Sequence, residues 1–174
     1  MFRLINLLNT FTLHLGRAIR WLTLIMVVLV CAVVFMRYFL GSPSIILQES
    51  VLYLHATVFM AGMAYTWQQG GHVRVDVFTR NCSQQRKNRI EQLGIIFFVV
   101  PVCIFILIMS WKYVGNSWAI SERSEEPGGL PLVYLLKSLI IVMPCLLLLQ
   151  ALVEFGKTLM PTAKQADQLE VPHG

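Results

Sequence analysis

The chain is predicted to be an all-α membrane protein: four transmembrane helices, an N-terminal amphipathic interfacial helix, and both termini cytoplasmic. Three observations predict this. Four apolar stretches, 21–40, 45–67, 93–114 and 130–155, are each long enough to cross a hydrocarbon core of ~30 Å as a helix. Hydrophobic residues make up 56% of the 174 positions and charged residues only 13%, against about 25% charged in soluble domains. Lys and Arg are spread unevenly over the connecting segments, and that asymmetry sets the orientation. The spans leave no length for a separate soluble catalytic domain, so the expected organisation is one four-helix membrane bundle over 1–160 and a polar cytoplasmic tail over 161–174.

The first twenty residues carry Arg3, Arg17 and Arg20 ahead of an apolar run of full span length. A cleavable signal would have a shorter core of about 7–15 residues and a small-residue cleavage site, so the first span is expected to be retained. Within 2–18, Leu4, Leu7, Leu8, Phe11, Leu15 and Ala18 recur at helical spacing, with Arg3, Asn6, Thr10 and Arg17 falling elsewhere. This pattern fits a helix lying on the cytoplasmic face or a helical extension of the first span.

The turn Gly41–Ser44 is short, so spans one and two are antiparallel neighbours. The next loop holds Arg74, Arg80, Arg86, Lys87 and Arg89, and the tail holds Lys157 and Lys164. On the opposite side lie the uncharged 41–44 turn and a loop with Arg123 against Glu122, Glu125 and Glu126. The positive-inside rule then places the termini and the middle loop in the cytoplasm. The net charge of +5 is thereby explained by membrane topology, and no nucleic-acid partner is expected. Ser83 is the expected N-cap of the third helix, whose start over 83–91 is polar. Pro101 and Pro144 fall inside spans three and four, where prolines are tolerated as kinks. Gly128-Gly129 ahead of Leu130-Pro131 reads as a turn followed by a helix start.

An ionisable group at membrane depth costs at least ~2.5–3.5 kcal/mol near the centre, so each is a candidate functional residue. Arg37, Glu49, Lys112 and Lys137 all fall in the outer third. Arg37, Glu49 and Lys137 are the candidate intramembrane charge anchors: Glu49 is expected either to pair with Arg37 or Lys137 inside the bundle or to reach a partner's helix. His55 lies near the midplane, about 120° around the helix from Glu49, so the two share no face and form no relay. His14, His72 and His173 lie at or beyond the membrane surface, leaving His55 without a second axial ligand for a haem. Cys31, Cys103 and Cys145 fall within spans and Cys82 in the cytoplasmic loop, with no CxxC, so all four read as buried or inert thiols rather than as a disulfide-forming centre. No zinc spacing, nucleotide loop or nucleophile motif occurs, so neither cofactor nor metal is expected and the chain does not read as an enzyme.

The order Arg37-Tyr38-Phe39, a short turn, Glu49, and Gly71-His72-Val73-Arg74-Val75-Asp76-Val77 resembles the DctQ-like small membrane subunit of tripartite ATP-independent periplasmic (TRAP) transporters. Pro127-Gly128-Gly129-Leu130-Pro131 and Lys137-Ser138 resemble a branch of that family described as serving organic acids or mannitol and chloroaromatic compounds. The resemblance covers approximately residues 10–160. It implies a small scaffold subunit in the bacterial inner membrane, packed beside a large multi-span subunit that imports an organic acid by a sodium-driven elevator motion, with a periplasmic substrate-binding protein as third component. On that reading, His72, Arg74 and Asp76 are the candidate subunit-contact loop, and Glu122, Glu125 and Glu126 the candidate periplasmic docking loop. Two other readings stay open: a self-contained small transporter coupling protons through Glu49, and a membrane anchor for a redox enzyme.

Overall fold

The computed structural model describes residues 2–72 and 83–158, all helices and connecting turns, with no strand among them. The helices are α1 (Phe2–Phe39), α2 (Ile45–Gln68), α3 (Gln84–Gly94), a π turn (Ile95–Val99) leading without a break into α4 (Val100–Ala119), and α5 (Val133–Thr158). Four continuous helical stretches are long and apolar enough to cross a membrane: Ile5–Phe39, Ile45–Gln68, Gln84–Ala119 and Val133–Thr158.

Local chemistry sets the helix ends. Ser44 caps α2, its Oγ accepting the Leu47 N–H, as expected of an N-cap serine. At the other end Gly70 adopts φ +67°. There the Gly70 N–H donates to Trp67 O and the Gly71 N–H to Thr66 O, the paired bonds of a Schellman ending that glycine accommodates without a Cβ penalty. Ser83 precedes α3 as expected, although its side chain makes no capping bond.

Pro101 explains the π turn. Lacking an N–H, it removes a helical hydrogen bond and crowds the preceding turn. Just upstream the helix widens, and the Val100 N–H donates to Ile95 O, five residues back. The helix thus absorbs the proline without ending. Pro144 lies inside α5 and is fully buried.

Of the two alternatives for 2–18, a separate interfacial helix and a helical extension of the first span, the segment takes the second. It is continuous with the first span, making one helix about 57 Å long at 1.5 Å per residue. Packing among the four spans is uneven. Along the chain of contacts α1 packs on α2, α2 on α5, and α5 on α4, while α1 also meets α5. Among the described residues α4 has no comparable contact with α1 or α2. The helices α1, α2 and α5 thus meet one another, α4 joins them through α5, and few large side chains are buried.

Where helices do meet, small residues let them approach. At the end where α1 starts and α5 finishes, here the terminal end, Ile5 packs on Val153, and Gly156 leaves room for the Ile5 side chain. One helical stripe of α1, Ile5, Thr12, Gly16 and Ile19, is buried. A Cβ on Gly16 would fall inside the Tyr65 ring of α2. Ala61, Ala64 and Ala151 complete the close contacts. This composition suits a lipid setting, where helix association rests on close packing and hydrogen bonds rather than on hiding apolar surface from water. Gln68 adds such a bond: its Nε2 donates to both the backbone and side-chain oxygens of Asn9 at 2.7 Å.

The two glycines of this seam should respond oppositely to alanine. Gly62 has only Ile19 Cγ2 near its open position, at 3.9 Å, so Gly62→Ala should raise stability by up to about 1 kcal/mol through helix propensity. Gly16→Ala forces the Tyr65 ring aside and should lower stability by about 1–3 kcal/mol. Unfolding midpoints in detergent titrations test the pair, and equal shifts would refute the Gly16–Tyr65 contact.

Candidate functional site

The polar chemistry of the chain gathers at the end opposite the termini, here the distal end, where the 120–132 connection crosses from α4 to α5. Ser121 takes φ +47° and ends α4 in a Schellman arrangement. Its N–H donates to Trp118 O, and that of Glu122 to Ser117 O. Pro127 and Gly128 (φ +82°) then form the corner of a turn closed by the Gly129 N–H donating to Glu126 O at 2.9 Å. Positive φ at the third position, after proline, is the type II pattern, so the Gly-Gly pair is a turn as its sequence implied. The Ser124 N–H donates to Leu130 O at 3.2 Å and draws the loop closed.

Glu49 fastens this loop. One carboxylate oxygen accepts the Ser124 hydroxyl and the other the Leu130 backbone N–H. Gly129 permits the approach, because a Cβ there would lie 2.7 Å from Glu49 Oε1. The carboxylate thus satisfies a backbone donor and a hydroxyl at once, the kind of charge-assisted bonding that is stronger than neutral pairs. The pairing of Glu49 with Arg37 or Lys137, expected from depth alone, does not occur. Its oxygens are already occupied by Ser124 and Leu130 of the loop, which lie 75 and 81 residues away in sequence.

Lys137 pairs elsewhere. Its Nζ donates to both oxygens of Glu122, at 2.7 and 2.5 Å, and lies 4.2 Å from the centre of the Tyr113 ring. Helix α5 begins at Val133, not at Leu130, so Lys137 lies only about 6 Å along it. That depth is shallow enough to reach the loop. Beside this pair the Trp118 Nε1–H donates to Ser138 Oγ at 2.8 Å, and the Trp118 ring meets Tyr134 edge-on at 4.7 Å. The Lys137 ammonium, hydrogen-bonded to Glu122, holds that carboxyl below the usual carboxylate range.

The remaining candidates are dispersed. Arg37 is exposed at the distal end of α1 and makes no ion pair among the described residues. Glu125 and Glu126 extend into the open on the loop, while Glu122 is committed to Lys137. His72 is exposed just past α2, its Nε2 3.3 Å from Met63 O; Arg74, Asp76, Cys82 and the 161–174 tail lie outside the described residues. Among the thiols, Cys103 is buried, but Cys31 and Cys145 are exposed on their helices, against the buried reading. Near the terminal end Glu154 accepts from Gln150 at 2.7 Å and from Lys157 at 2.9 Å. No group of three or more His, Cys, Asp or Glu side chains able to hold a metal occurs among the described residues. Sequence reasoning missed Ser124, Trp118 and the Leu130 N–H. Only the Pro-Gly-Gly turn signalled that the loop was structured.

Residues 26–159 match the family model of tripartite ATP-independent periplasmic transporters, DctQ component. The chain belongs to the DctQ family. The match takes in α2, the proline-bearing third span, the loop that Glu49 fastens, and all of α5. DctQ proteins are a transporter component, not an enzyme family. No curated protein and no solved structure matches the chain.

Two outcomes are expected at this site. Glu49→Ala leaves the Leu130 N–H and Ser124 hydroxyl without their acceptor and should cost about 1.5–3 kcal/mol. It should also speed trypsin cleavage after the exposed Arg123, whereas Glu49→Gln retains an acceptor and should cleave nearly as slowly as wild type. Unchanged cleavage in Glu49→Ala would show that the loop is not held there. The second outcome concerns pH. Because the folded-state pKa of Glu122 is depressed, its contribution to stability is present at neutral pH and lost as pH falls below about 4 and through the folded value. Thermal midpoints between pH 7 and 3 should show a steeper acid loss for wild type than for Glu122→Gln.

Proposed function

We propose that this DctQ chain is the small scaffold subunit of a sodium-driven TRAP transporter that imports an organic acid. It works beside a large elevator-type membrane subunit and a periplasmic substrate-binding protein, in the bacterial inner membrane. The observation that carries this reading is the use made of the ionisable groups at membrane depth. Glu49 is committed to closing a loop and Lys137 to Glu122, so both brace the bundle's end. A coupling residue, in contrast, has to exchange its proton or ion with the transport path. Family membership supports the presence of the two partner components.

On this reading the distal end faces the periplasm and both termini the cytoplasm, in keeping with the Lys and Arg distribution. The loop over 120–132 then presents Glu125 and Glu126 outward as the contact for the binding protein, on a base held rigid by Glu49 and Lys137. His72, Arg74 and Asp76 sit on the cytoplasmic side as the contact for the large subunit. Arg37 snorkels to the outer surface.

The test is reconstitution. Tagged chain should co-purify with a larger multi-span membrane protein. Proteoliposomes should take up a carboxylate only when this chain, the large subunit and the binding protein are all present and a sodium gradient is imposed. Uptake or efflux by this chain alone that is abolished in Glu49→Gln would replace the scaffold reading with a self-contained transporter.

A further inference from the structure

One face of α2 differs from every other membrane-depth surface of the chain. Gln48, Leu52, His55, Phe59 and Thr66 are all exposed and recur at spacings of three, four and seven, so they form one stripe about 27 Å long. The stripe lies opposite the side that carries buried Ala61 and Ala64. His55 falls at the middle of the helix, about 15 Å from its first residue. Its ring lies over Phe59, with centres 6.4 Å apart, and no hydrogen-bond partner for it occurs among the described residues. The Gln48 side chain likewise has none there.

The other exposed surfaces at comparable depth are apolar apart from Lys112 of α4, whose long side chain reaches for the outer surface. On α1 they are Leu24, Val27, Val28, Val34 and Phe35, and on the π turn and α4 they are Phe97, Phe98, Val102, Phe105 and Ile108. Those faces suit lipid tails directly. Hydrocarbon offers an imidazole N–H and ring nitrogen no partner, and unsatisfied polar groups at that depth cost several kcal/mol. Histidines inside membrane spans almost always face protein or a water-filled cavity for this reason.

We infer that the Gln48–Leu52–His55–Phe59–Thr66 face of α2 is the surface on which the large membrane subunit docks, through a transmembrane helix bearing a hydrogen-bonding side chain opposite His55. The inference rests on the scaffold reading above and specifies its geometry: α1 and α4 turn to lipid, and α2 turns to protein. Phe59 and Leu52 supply the packing on either side of the polar contact. Thr66, whose hydroxyl is satisfied by Gly62 O, adds a small residue at the terminal end that allows close approach.

The experiment places a photo-crosslinking amino acid at Leu52 or Phe59, and at Val27 or Phe105 as controls, in the chain co-expressed with the large subunit in native membranes. Crosslinks to the large subunit from Leu52 and Phe59, and none from Val27 or Phe105, are the expected result. Crosslinks from α1 or α4 alone would overturn the inference while leaving the scaffold reading intact. Crosslinks from Leu52 to a second copy of this chain would overturn it in favour of a homodimer. Failure of any large subunit to co-purify would remove the scaffold reading and this inference together. In a second arm, His55→Leu should weaken co-purification about three- to thirty-fold, the span expected of one interhelical hydrogen bond in membranes. His55→Gln should restore most of it, with the unfolding midpoint of the isolated chain unchanged in both. Equal binding by all three forms would refute the polar contact.

Discussion

Helices immersed in hydrocarbon gain little by covering one another's apolar surface, because the lipid is as apolar as they are. Cohesion has to come from atoms that fit closely and from polar groups that find each other, and both are distributed here with economy. The close fits lie where Gly16 receives Tyr65 and Gly156 receives Ile5. The polar ties lie at the two ends, Glu49 and Lys137 at one and Asn9 with Gln68 at the other. Between those ends the helices are held by shape alone, and much of α1 and α4 remains uncovered.

This distribution also separates what the sequence reveals from what it conceals. Span number and approximate limits follow from hydropathy, which a single stretch of chain carries in full. The start of α3 after Ser83 and the turn at Gly128 follow from local residue chemistry and are found where expected. The family resemblance, read from short motifs, is matched over 26–159. Partners separated by 75 or more residues are another matter. Depth alone puts Glu49, Arg37 and Lys137 at one level, but like depth is not proximity. The loop intervenes because its backbone N–H groups compete for the same carboxylate, and no side-chain pattern advertises a backbone donor. The order of packing was equally hidden, since hydropathy alone does not say that α4 joins the other helices through α5.

Glu122 shows how a surface feature changes meaning once its neighbours are known. In sequence it is one of three acidic residues on a loop, equivalent to Glu125 and Glu126. In the fold it is spent on Lys137 and on the end of α4, and the two others alone point outward. Residues of like charge on one loop thereby divide between an inward tie and an outward-facing surface.

The π turn at Ile95–Val99 has a consequence for rotation. Each α-helical residue advances the side chains by about 100°, and a π turn holds one residue more than the α-helix it interrupts. The polar α3 and the apolar α4 are therefore set at a phase that an uninterrupted helix would not give. That phase lets Gln92 reach Thr158 of α5 while Cys103 and Val114 still face the α5 side of α4. Deleting one residue from 95–99 would leave a regular helix and turn α3 by roughly a quarter of a revolution relative to α4. The widened turn is a fixed angular offset, the joint through which the membrane-facing and water-facing halves of a single rod are keyed to different neighbours.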